Sequence, residues 1–245
     1  MKEPFKKLVH QGMILGENGI KMGKRFPEFV VNPSDIVRDY GADTLRLYEM
    51  FMGPLEVSKP WSSTAVAGAK KFINRVWNFF TVKENLTDTD DGKLTKIYHQ
   101  SVRKITADFE TLGFNTAIAQ MMTFVNEVYK NGRCPREYAE GFIKMMSCIT
   151  PHVGEEIWQL MGHDNTIAYE PWPTYSEEKC KDTEVEIAVQ INGKVRGRIM
   201  VSPDLTREDA EKELPARADV QEIVAGKNIV KMIYVPGRLC NLIVK

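Results

Sequence analysis

The sequence has no net charge and no long apolar run. Its 33 Lys and Arg residues are balanced by 33 Asp and Glu residues, so the chain as a whole is not drawn toward nucleic acid or an anionic membrane. Any RNA binding must therefore come from local separation of charge. No stretch approaches the roughly 20 apolar residues of a membrane span, and no apolar run follows the N-terminal charges as in a secretory signal. We expect a cytoplasmic protein with no membrane partner.

Residues that hold metals or form disulfides are few and scattered. The four cysteines form no CxxC pair and no Cys/His cluster with zinc-finger spacing, which favours reduced thiols and predicts no metal site. The four histidines lie far apart, and none is close to a candidate nucleophile. The chain also lacks a glycine-rich phosphate loop. We therefore assign no catalytic histidine and no metal ligands.

Apolar residues, at 43% of the chain, suffice for a sizeable core, and most recur at helical spacing. The pattern predicts long helices joined by short polar turns, which is typical of an antiparallel bundle. The predicted helices cover residues 64–82, 94–110, 115–131 and 135–149, with a short last helix that ends at Gly162. Prolines and charges over residues 171–183 then predict a linker.

After the linker the apolar period changes from that of a helix to that of a strand. Residues 185–191 and 195–201 alternate around Asn192-Gly193, a strong hairpin signal. A second hairpin is predicted over residues 229–244, with two short helices between the hairpins. The sequence therefore predicts a separate α+β domain over residues 184–245, behind a mainly α fold.

Several motifs resemble those of class I aminoacyl-tRNA synthetases. Residues 21–25, KMGKR, resemble the KMSKS loop, and residues 30–61, which include YGADTLRLYEMFMGPLEVSKPW, look like the segment that follows it in leucyl-tRNA synthetases. Residues 151–158, PHVGEEIW, resemble the last bundle helix of the same group. Residues 189–199 and 235–244 resemble the C-terminal domain of bacterial leucyl enzymes. Together these motifs extend the resemblance over nearly the whole chain.

The loop departs from the family pattern at two positions. Gly23 stands where the family usually has Ser, and Arg25 where it often has Ser. The spacing to residues 30–33, VVNP, is also one residue longer than the common form. Both lysines remain, but the loop lacks a hydroxyl and has more backbone freedom at Gly23.

The resemblance implies a domain order and a reaction. Residues 1–60 would end a catalytic domain with the KMSKS-like loop and stem-contact region, residues 61–170 would form a helical bundle of the anticodon-binding type, and residues 184–245 a tRNA-contact domain. The family ligates leucine to tRNA(Leu) through leucyl-adenylate, with ATP as substrate and Mg²⁺ accompanying it, and its members are expected to be monomeric. The HIGH motif, the Rossmann core and the editing domain lie upstream of KMSKS in this family. We therefore expect this chain to be a fragment that binds no cofactor and is inactive alone.

The resemblance also implies roles for the loop residues. Lys24 matches the second lysine of the motif and is expected to contact the departing pyrophosphate, because a mobile ammonium suits a charge that builds during the reaction. Lys21 is expected to be structural or to face tRNA, and Met22 to pack the loop against its base. The full predicted ATP-binding set is Lys21, Met22, Gly23, Lys24 and Arg25. Without the downstream match, these cations would be read as solvated surface charges.

A second candidate surface lies in the C-terminal domain. Lys194, Arg196 and Arg198 alternate, which predicts that all three project from one face of a strand. Acids lie instead on the helix that follows, and such separation of charge suits phosphate binding. A solvated strand edge protected by charge is the alternative. The predicted tRNA-binding set is Lys194, Arg196, Arg198, Lys227, Lys231 and Arg238.

Other polar and aromatic residues are expected to be architectural. Asp43 is predicted to cap a helix over residues 44–51, TLRLYEMF, and His152 to form a structural hydrogen bond at a helix start. Arg46 and Glu49 are expected to pair locally or to touch the tRNA backbone. Three tryptophans in apolar patterns are expected in the core, namely Trp61, Trp77 and Trp158.

Two other functions remain open. A non-catalytic RNA-binding or regulatory protein derived from a synthetase tail has no need of an ATP loop, so KMGKR speaks against it. A valyl or isoleucyl enzyme would end in a coiled coil or a zinc-bearing tail, and neither pattern is present.

Overall fold

The computed structural model describes residues 4–181 and 185–245, which divide into two compact units, Met1–Cys180 and Lys181–Lys245. The first unit is helical, as the sequence predicts. Its helices are α1 (Pro33–Tyr40), α2 (Ala42–Phe51), α3 (Ser63–Phe80), α4 (Thr95–Glu110), α5 (Phe114–Asn131), α6 (Arg136–Ser147) and α7 (Pro151–Leu160). Short 3₁₀ turns occupy Pro27–Phe29, Lys83–Asn85 and Ile167–Tyr169.

Capping residues set several helix ends. The Asn32 side chain accepts a hydrogen bond from the Ser34 amide at the start of α1, and Ser62 accepts one from the Ala65 amide at the start of α3. Gly132, with a left-handed φ of 78°, ends α5. These ends lie within one to two residues of the positions that the sequence predicts, because caps are local signals.

Aromatic side chains from different helices fill the core of the first unit. Phe80 stacks on Phe142 with ring centroids 5.3 Å apart, and Tyr98 stacks on Tyr138 at 4.2 Å. Gly141 makes room for this packing, since a Cβ at that position would lie 2.0 Å from the Tyr98 hydroxyl. The glycine is therefore required by a close approach between α4 and α6.

One tryptophan does not join this core. Trp61 and Trp158 are buried, as predicted, but Trp77 on α3 is 37% exposed. The prediction for Trp77 was wrong because its position falls at the border of the apolar stripe of α3, where periodicity alone does not decide burial.

Two short parallel strand pairs join distant parts of the first unit. Strand β1 (Ile14–Leu15) pairs with β2 (Lys59–Pro60), and β3 (Leu86–Thr87) pairs with β4 (Cys134–Pro135). The first pair fixes the segment that precedes the KMGKR loop against the segment that leads into α3.

The segment predicted as a linker is, through Cys180, a strap on the surface of α4. The Trp172 indole donates to Thr106 Oγ1 at 2.8 Å, and the Ser176 amide donates to His99 Nδ1 at 3.2 Å. Two further contacts join Glu177 to Arg103 and the Cys180 carbonyl to Gln100, each at 2.8 Å. The boundary between the two compact units, after Cys180, falls inside the predicted linker of residues 171–183. Residues 182–183 of that linker lie outside the described residues.

The second unit is a four-stranded sheet covered by short helices. Its elements are β5 (Val185–Ile191), β6 (Lys194–Val201), α8 (Arg207–Glu213), α9 (Ala218–Val224), β7 (Ile229–Val235) and β8 (Leu239–Val244), with a 3₁₀ turn at Leu214–Ala216. The strand order is β6-β5-β8-β7, in which both predicted hairpins are antiparallel and β5 pairs with β8 in parallel. Ile187, Val189, Cys240 and Leu242 point to the helix side and form its core. The predicted α+β unit is present, and the pairing of β5 with β8 brings the two hairpins together.

Two general features of the described part of the chain are plain. None of its helices is long and apolar enough to cross a membrane. All four cysteines are free thiols, with only Cys148 exposed.

Candidate functional site

The KMGKR loop begins at a tight turn. The Gly16 amide donates to the Ile20 carbonyl at 2.8 Å, and Leu15 bridges to Lys21 in antiparallel fashion. The Asn18 side chain accepts from the Ile20 amide at 3.0 Å and stabilises the turn. Lys21 is therefore held at the edge of a small hairpin, next to β1.

Within the loop, one side chain points in and three cations point out. Met22 packs against the core of the first unit, and its sulfur accepts from the Val31 amide at 3.4 Å. Lys21, Lys24 and Arg25 are exposed. Met22 therefore packs the loop against its base, and the two lysines and Arg25 lie on its exposed side.

The position of Gly23 has room for a side chain. A Cβ built there meets no atom within 4 Å, and its φ lies outside the left-handed region. The backbone at Gly23 therefore accommodates the serine that the family usually has at this place.

The base of the loop is tied to the start of α3. The Glu17 carboxylate accepts from the Ser63 amide at 3.1 Å and from the Ser63 hydroxyl at 2.8 Å. These two hydrogen bonds lower the pKa of Glu17, the hydroxyl contributing most. Strand β1 adds a main-chain hydrogen bond from Trp61 to the Leu15 carbonyl at 2.8 Å. The loop is consequently anchored to residues 46 positions further along the chain.

Asp43 does not cap the second helix, which corrects the sequence prediction. Gly41 precedes α2 with a φ of 92° and no side-chain cap, and Asp43 lies inside the first turn. Its buried carboxylate instead accepts from the Val153 amide at 2.7 Å and contacts His152 Nδ1 at 2.8 Å. Asp43 therefore joins α2 to the start of α7, and His152 forms the structural hydrogen bond that was predicted for it.

Arg46 also serves the architecture of the bundle. Its guanidinium donates to the carbonyls of Ile149 and Cys148, at 2.8 and 3.2 Å, at the end of α6. Glu49 lies half-buried nearby, and burial raises its pKa. Arg46 was expected to pair locally, but its partners are main-chain carbonyls at the end of another helix, 103 and 102 residues further along the chain.

The cations of the C-terminal unit do not share one face. Val189 pairs with Gly197 whereas Gln190 pairs with Val195, so Arg196 is the extra residue of a β-bulge. Beyond the bulge, Lys194 pairs with Ile191, which belongs to the helix side of the sheet. The predicted alternation of three cations was wrong because a bulge shifts the side-chain period by one residue.

Two cations do lie on the helix-free face of this sheet. Arg198 pairs with Ala188 on the β6 edge, and Lys231 pairs with Ile243 on the β7 edge. Neighbouring strands are about 4.8 Å apart, so these two edges are separated by roughly 14 Å. Arg198 is partly neutralised by Glu186 at 2.8 Å. Arg238 is exposed in the turn between β7 and β8, and Lys227 is exposed shortly before β7.

The sequence prediction missed a cationic face on α3. This 18-residue helix contains Lys70, Lys71 and Arg75 but no Asp or Glu. Within the part of the chain that the structure describes, none of the three cations forms an ion pair. The signal in the sequence is a helix that contains three cations and no acidic residue.

The chain matches two family models. Residues 1–59 match the model described as tRNA synthetases class I (I, L, M and V), and residues 91–213 match the anticodon-binding domain of tRNA ligase. The second match covers half of the chain. The first model joins four amino-acid specificities and so does not separate leucine from the others.

Comparison with a solved structure indicates which of these four kinds of synthetase the chain resembles. The chain is similar to the leucyl-tRNA synthetase agnB2 LeuRS of Agrobacterium radiobacter K84, solved as a ternary complex with tRNA and LeuAMS, at 27% identity and a TM-score of 0.70. The similarity covers 100% of this chain and 34% of that synthetase, so the chain spans about a third of the length of its relative. It confirms the resemblance to leucyl-tRNA synthetases and the mainly α fold with an anticodon-binding bundle. The chain therefore belongs to the class I aminoacyl-tRNA synthetases, carries the anticodon-binding domain of tRNA ligases over half of its length, and is leucyl-tRNA synthetase-like.

Proposed function

We propose that this chain supplies the ATP-loop and tRNA-binding regions of a leucyl-tRNA synthetase, which ligates leucine to tRNA(Leu) through leucyl-adenylate. The observation that carries the proposal is the KMGKR loop, whose cations are exposed on a base fixed by Met22 and Glu17. A protein that binds RNA and catalyses no reaction has no use for such a loop. The similarity to a leucyl enzyme along the whole chain supports leucine as the amino acid.

In this proposal the loop acts by charge. Activation is an attack by the leucine carboxylate oxygen on the α-phosphorus of ATP, which forms leucyl-adenylate and releases pyrophosphate. Negative charge builds on the departing pyrophosphate, and Lys24 contacts it there. Lys21 and Arg25 add positive potential along the triphosphate, and the Gly23 backbone allows close approach. Met22 supports the loop from below, and Mg²⁺ would arrive with the ATP phosphates.

The test of the loop is adenylate formation in the complete enzyme. Lys24→Ala removes a charge-assisted contact that forms chiefly in the transition state, so the activation rate should fall about 100-fold or more, with little change in leucine affinity. Arg25→Ala is the matched control, because it removes an adjacent exposed cation, and its effect should be much smaller. Equally mild effects of the two changes in pre-steady-state measurements would show that Lys24 has no such role.

Because the chain spans 34% of the relative, we propose that the 245 residues alone do not activate leucine. Leucine-dependent ATP–pyrophosphate exchange by the purified chain should stay at background. Robust exchange would overturn this part of the proposal and leave the family assignment intact.

The C-terminal unit is proposed to contact the tRNA backbone. The proposed residues are Lys194, Arg196, Arg198, Lys227, Lys231 and Arg238. The bulge leaves Arg198 and Lys231 as the pair that shares the helix-free face, so these two should contribute most. Arg198→Gln with Lys231→Gln should reduce the slope of log affinity for tRNA(Leu) against log salt by roughly two, since each lost phosphate contact lowers it by about one. A salt slope parallel to that of the wild type would favour the solvated-edge alternative.

A further inference from the structure

A cavity of about 300 Å³ lies where α2 meets the ends of α4 and α6 and the start of α5. Its walls are largely apolar and are formed by Met50, Phe109, Phe114 and Ile149. Cavities of this size and character are at the small end of those that hold small-molecule ligands. The charged side chains in its wall therefore decide what kind of molecule it suits.

Two opposite charges line this cavity, and they do not pair with each other. Arg46 and Glu49 lie three residues apart on α2, a spacing at which opposite charges on a helix can meet. Arg46 instead directs Nε and Nη2 to the carbonyls of Ile149 and Cys148, at 2.8 and 3.2 Å. Its Nη1 donates to no residue that the structure describes. The guanidinium is thus held in place and keeps a donor group for a ligand.

Glu49 is an unpaired carboxylate in the same wall. Among residues 4–181 and 185–245 it forms neither an ion pair nor a side-chain hydrogen bond. The side chain is half-buried, and burial raises its pKa. A half-buried carboxylate without a partner costs free energy, and a cationic group that entered the cavity would relieve this cost.

The apolar walls are held in a fixed arrangement. The rings of Phe109 and Phe114 pack edge to face with centroids 5.5 Å apart, and Trp172 of the strap packs on Phe109 at 5.6 Å. Ile149 is buried at the end of α6. Rings and an aliphatic side chain beside two charges suit a ligand that has an apolar part and charged groups at one end.

We propose that this cavity binds a free apolar α-amino acid, with its carboxylate on Arg46 Nη1, its ammonium on Glu49 and its side chain against Phe109 and Phe114. An α-amino acid carries both charged groups on one carbon, and neighbours on one helix face present the two complementary charges. A fatty acid or a simple amine would satisfy one of these charges and leave the other unpaired. The inference goes beyond the proposed function, because none of the residues proposed for ATP or tRNA contact lines the cavity.

The test compares leucine with two analogues that each lack one charged group, by isothermal titration calorimetry with the 245-residue chain. Leucine should bind with a dissociation constant below about 1 mM. 4-Methylpentanoate lacks the ammonium and 3-methylbutylamine lacks the carboxylate, so each should bind about 10-fold or more weakly than leucine. Equal affinities for the three ligands would overturn the inference and indicate an unspecific apolar cavity.

Glu49→Gln removes the charge of the cavity wall and keeps its shape. The variant should bind leucine about 10-fold or more weakly, whereas its affinity for 4-methylpentanoate, which has no ammonium, should not fall. The matched control is Glu84→Gln, which neutralises an exposed carboxylate on the 3₁₀ turn Lys83–Asn85. The control should leave both affinities unchanged.

Cys148 provides a second readout, which reports where the ligand binds. Its exposed thiol lines the same cavity, while the other three cysteines are buried. Saturating leucine should slow the alkylation of Cys148 by N-ethylmaleimide several-fold in the native chain. In Glu49→Gln the same leucine concentration should leave the rate of alkylation unchanged.

The outcomes separate this inference from the proposed function. Absence of leucine binding in the millimolar range, leucine binding that Glu49→Gln leaves unchanged, or unprotected Cys148 at saturating leucine would each overturn the inference. None of these results bears on the role of Lys24, which is tested by adenylate formation in the complete enzyme. Failure of the Lys24 test would in turn leave the amino-acid site at Glu49 intact.

Discussion

The two units of the molecule are held together in different ways. In the first unit, buried or anchored polar groups join segments far apart in the chain, such as Asp43 to Val153 and Arg46 to Ile149. In the second unit, most strand pairing is between neighbours in two hairpins, and the β5–β8 pair alone brings the hairpins together among the described strands. The helices and strands of both units can be predicted from the spacing of apolar residues, whereas the long-range hydrogen bonds of the first unit cannot.

The largest effect in this comparison is expected from breaking a long-range joint. Asp43→Ala removes a 6% exposed carboxylate that accepts from the Val153 amide and contacts His152. The loss should lower the free energy of unfolding of the first unit by about 3 kcal/mol, because a helix terminus is left without its charged acceptor. Urea denaturation monitored by tryptophan fluorescence measures this.

Asp35→Ala on α1 is the control for Asp43. Asp35 is an exposed residue paired with Arg38, so its removal should change stability by no more than about 0.5 kcal/mol. Similar effects of the two substitutions would mean that the α2–α7 joint contributes little.

The next effect concerns packing in the second unit. A Cβ at Gly197 would lie 2.5 Å from Ile223 Cδ1, where the strand beside the bulge passes under α9. Gly197→Val should therefore destabilise this unit by about 2 kcal/mol through overpacking. Adding Ile223→Ala should recover part of the loss in thermal unfolding. A double variant that is less stable than the sum of the two single changes would contradict this account.

These residues show how much of the fold could be predicted from the sequence. Hairpins and helix ends were predictable, because Asn192-Gly193 and Gly132 act within a few residues of their own positions. The bulge at Arg196 was not, since it appears only when the register of β5 with β6 is known. Asp43 was assigned to the wrong helix for the same reason: a side chain at a helix start can serve a helix more than 100 residues away.

The candidate site, like the fold, could be predicted only in its local features. The KMGKR motif directed attention to the loop, but not to its anchoring through Glu17 and Ser63, which are 46 residues apart. The docking of residues 172–180 on α4 was also hidden, because prolines and charges look alike in a linker and in a strap. Tertiary contacts decide such cases, and composition does not.

The strap on α4 should make the stability of the first unit depend on pH. Burial lowers the pKa of His99, and Lys179 lowers it further, whereas Glu137 and Asp90 act in the opposite direction. Its folded pKa lies below the ordinary value of 6.5, so the contribution of neutral His99 is fully present above about pH 6.5 and is lost as the pH falls below that. Protonation also ends its acceptance of the Ser176 amide.

The size of this effect is bounded by one proton, at most about 1.4 kcal/mol per pH unit. Unfolding free energies between pH 7.5 and 5.5 should fall more steeply in the wild type than in His99→Gln. His10→Gln changes an exposed histidine and should keep the wild-type dependence. Equal slopes in all three proteins would show that His99 does not report on the strap.

The smallest effect is expected at Gly23, and it sharpens the contrast between anchored and free parts of the first unit. Since a Cβ there meets nothing within 4 Å and φ is ordinary, Gly23→Ser should change the free energy of unfolding by no more than about 0.5 kcal/mol.

Gly12→Ser makes the same chemical change beneath the loop, where a Cβ would lie 2.2 Å from the Val57 carbonyl carbon. Backbone cannot yield as a side chain does, so this variant should lose several-fold more stability and release the β1–β2 pair. In the complete enzyme, Gly23→Ser should leave adenylate formation within about two-fold of the wild type, because Met22 and Glu17 still hold the loop that carries Lys21 and Lys24. A clear loss of activity or stability at Gly23 would mean that the departure from the family pattern is a requirement of this loop.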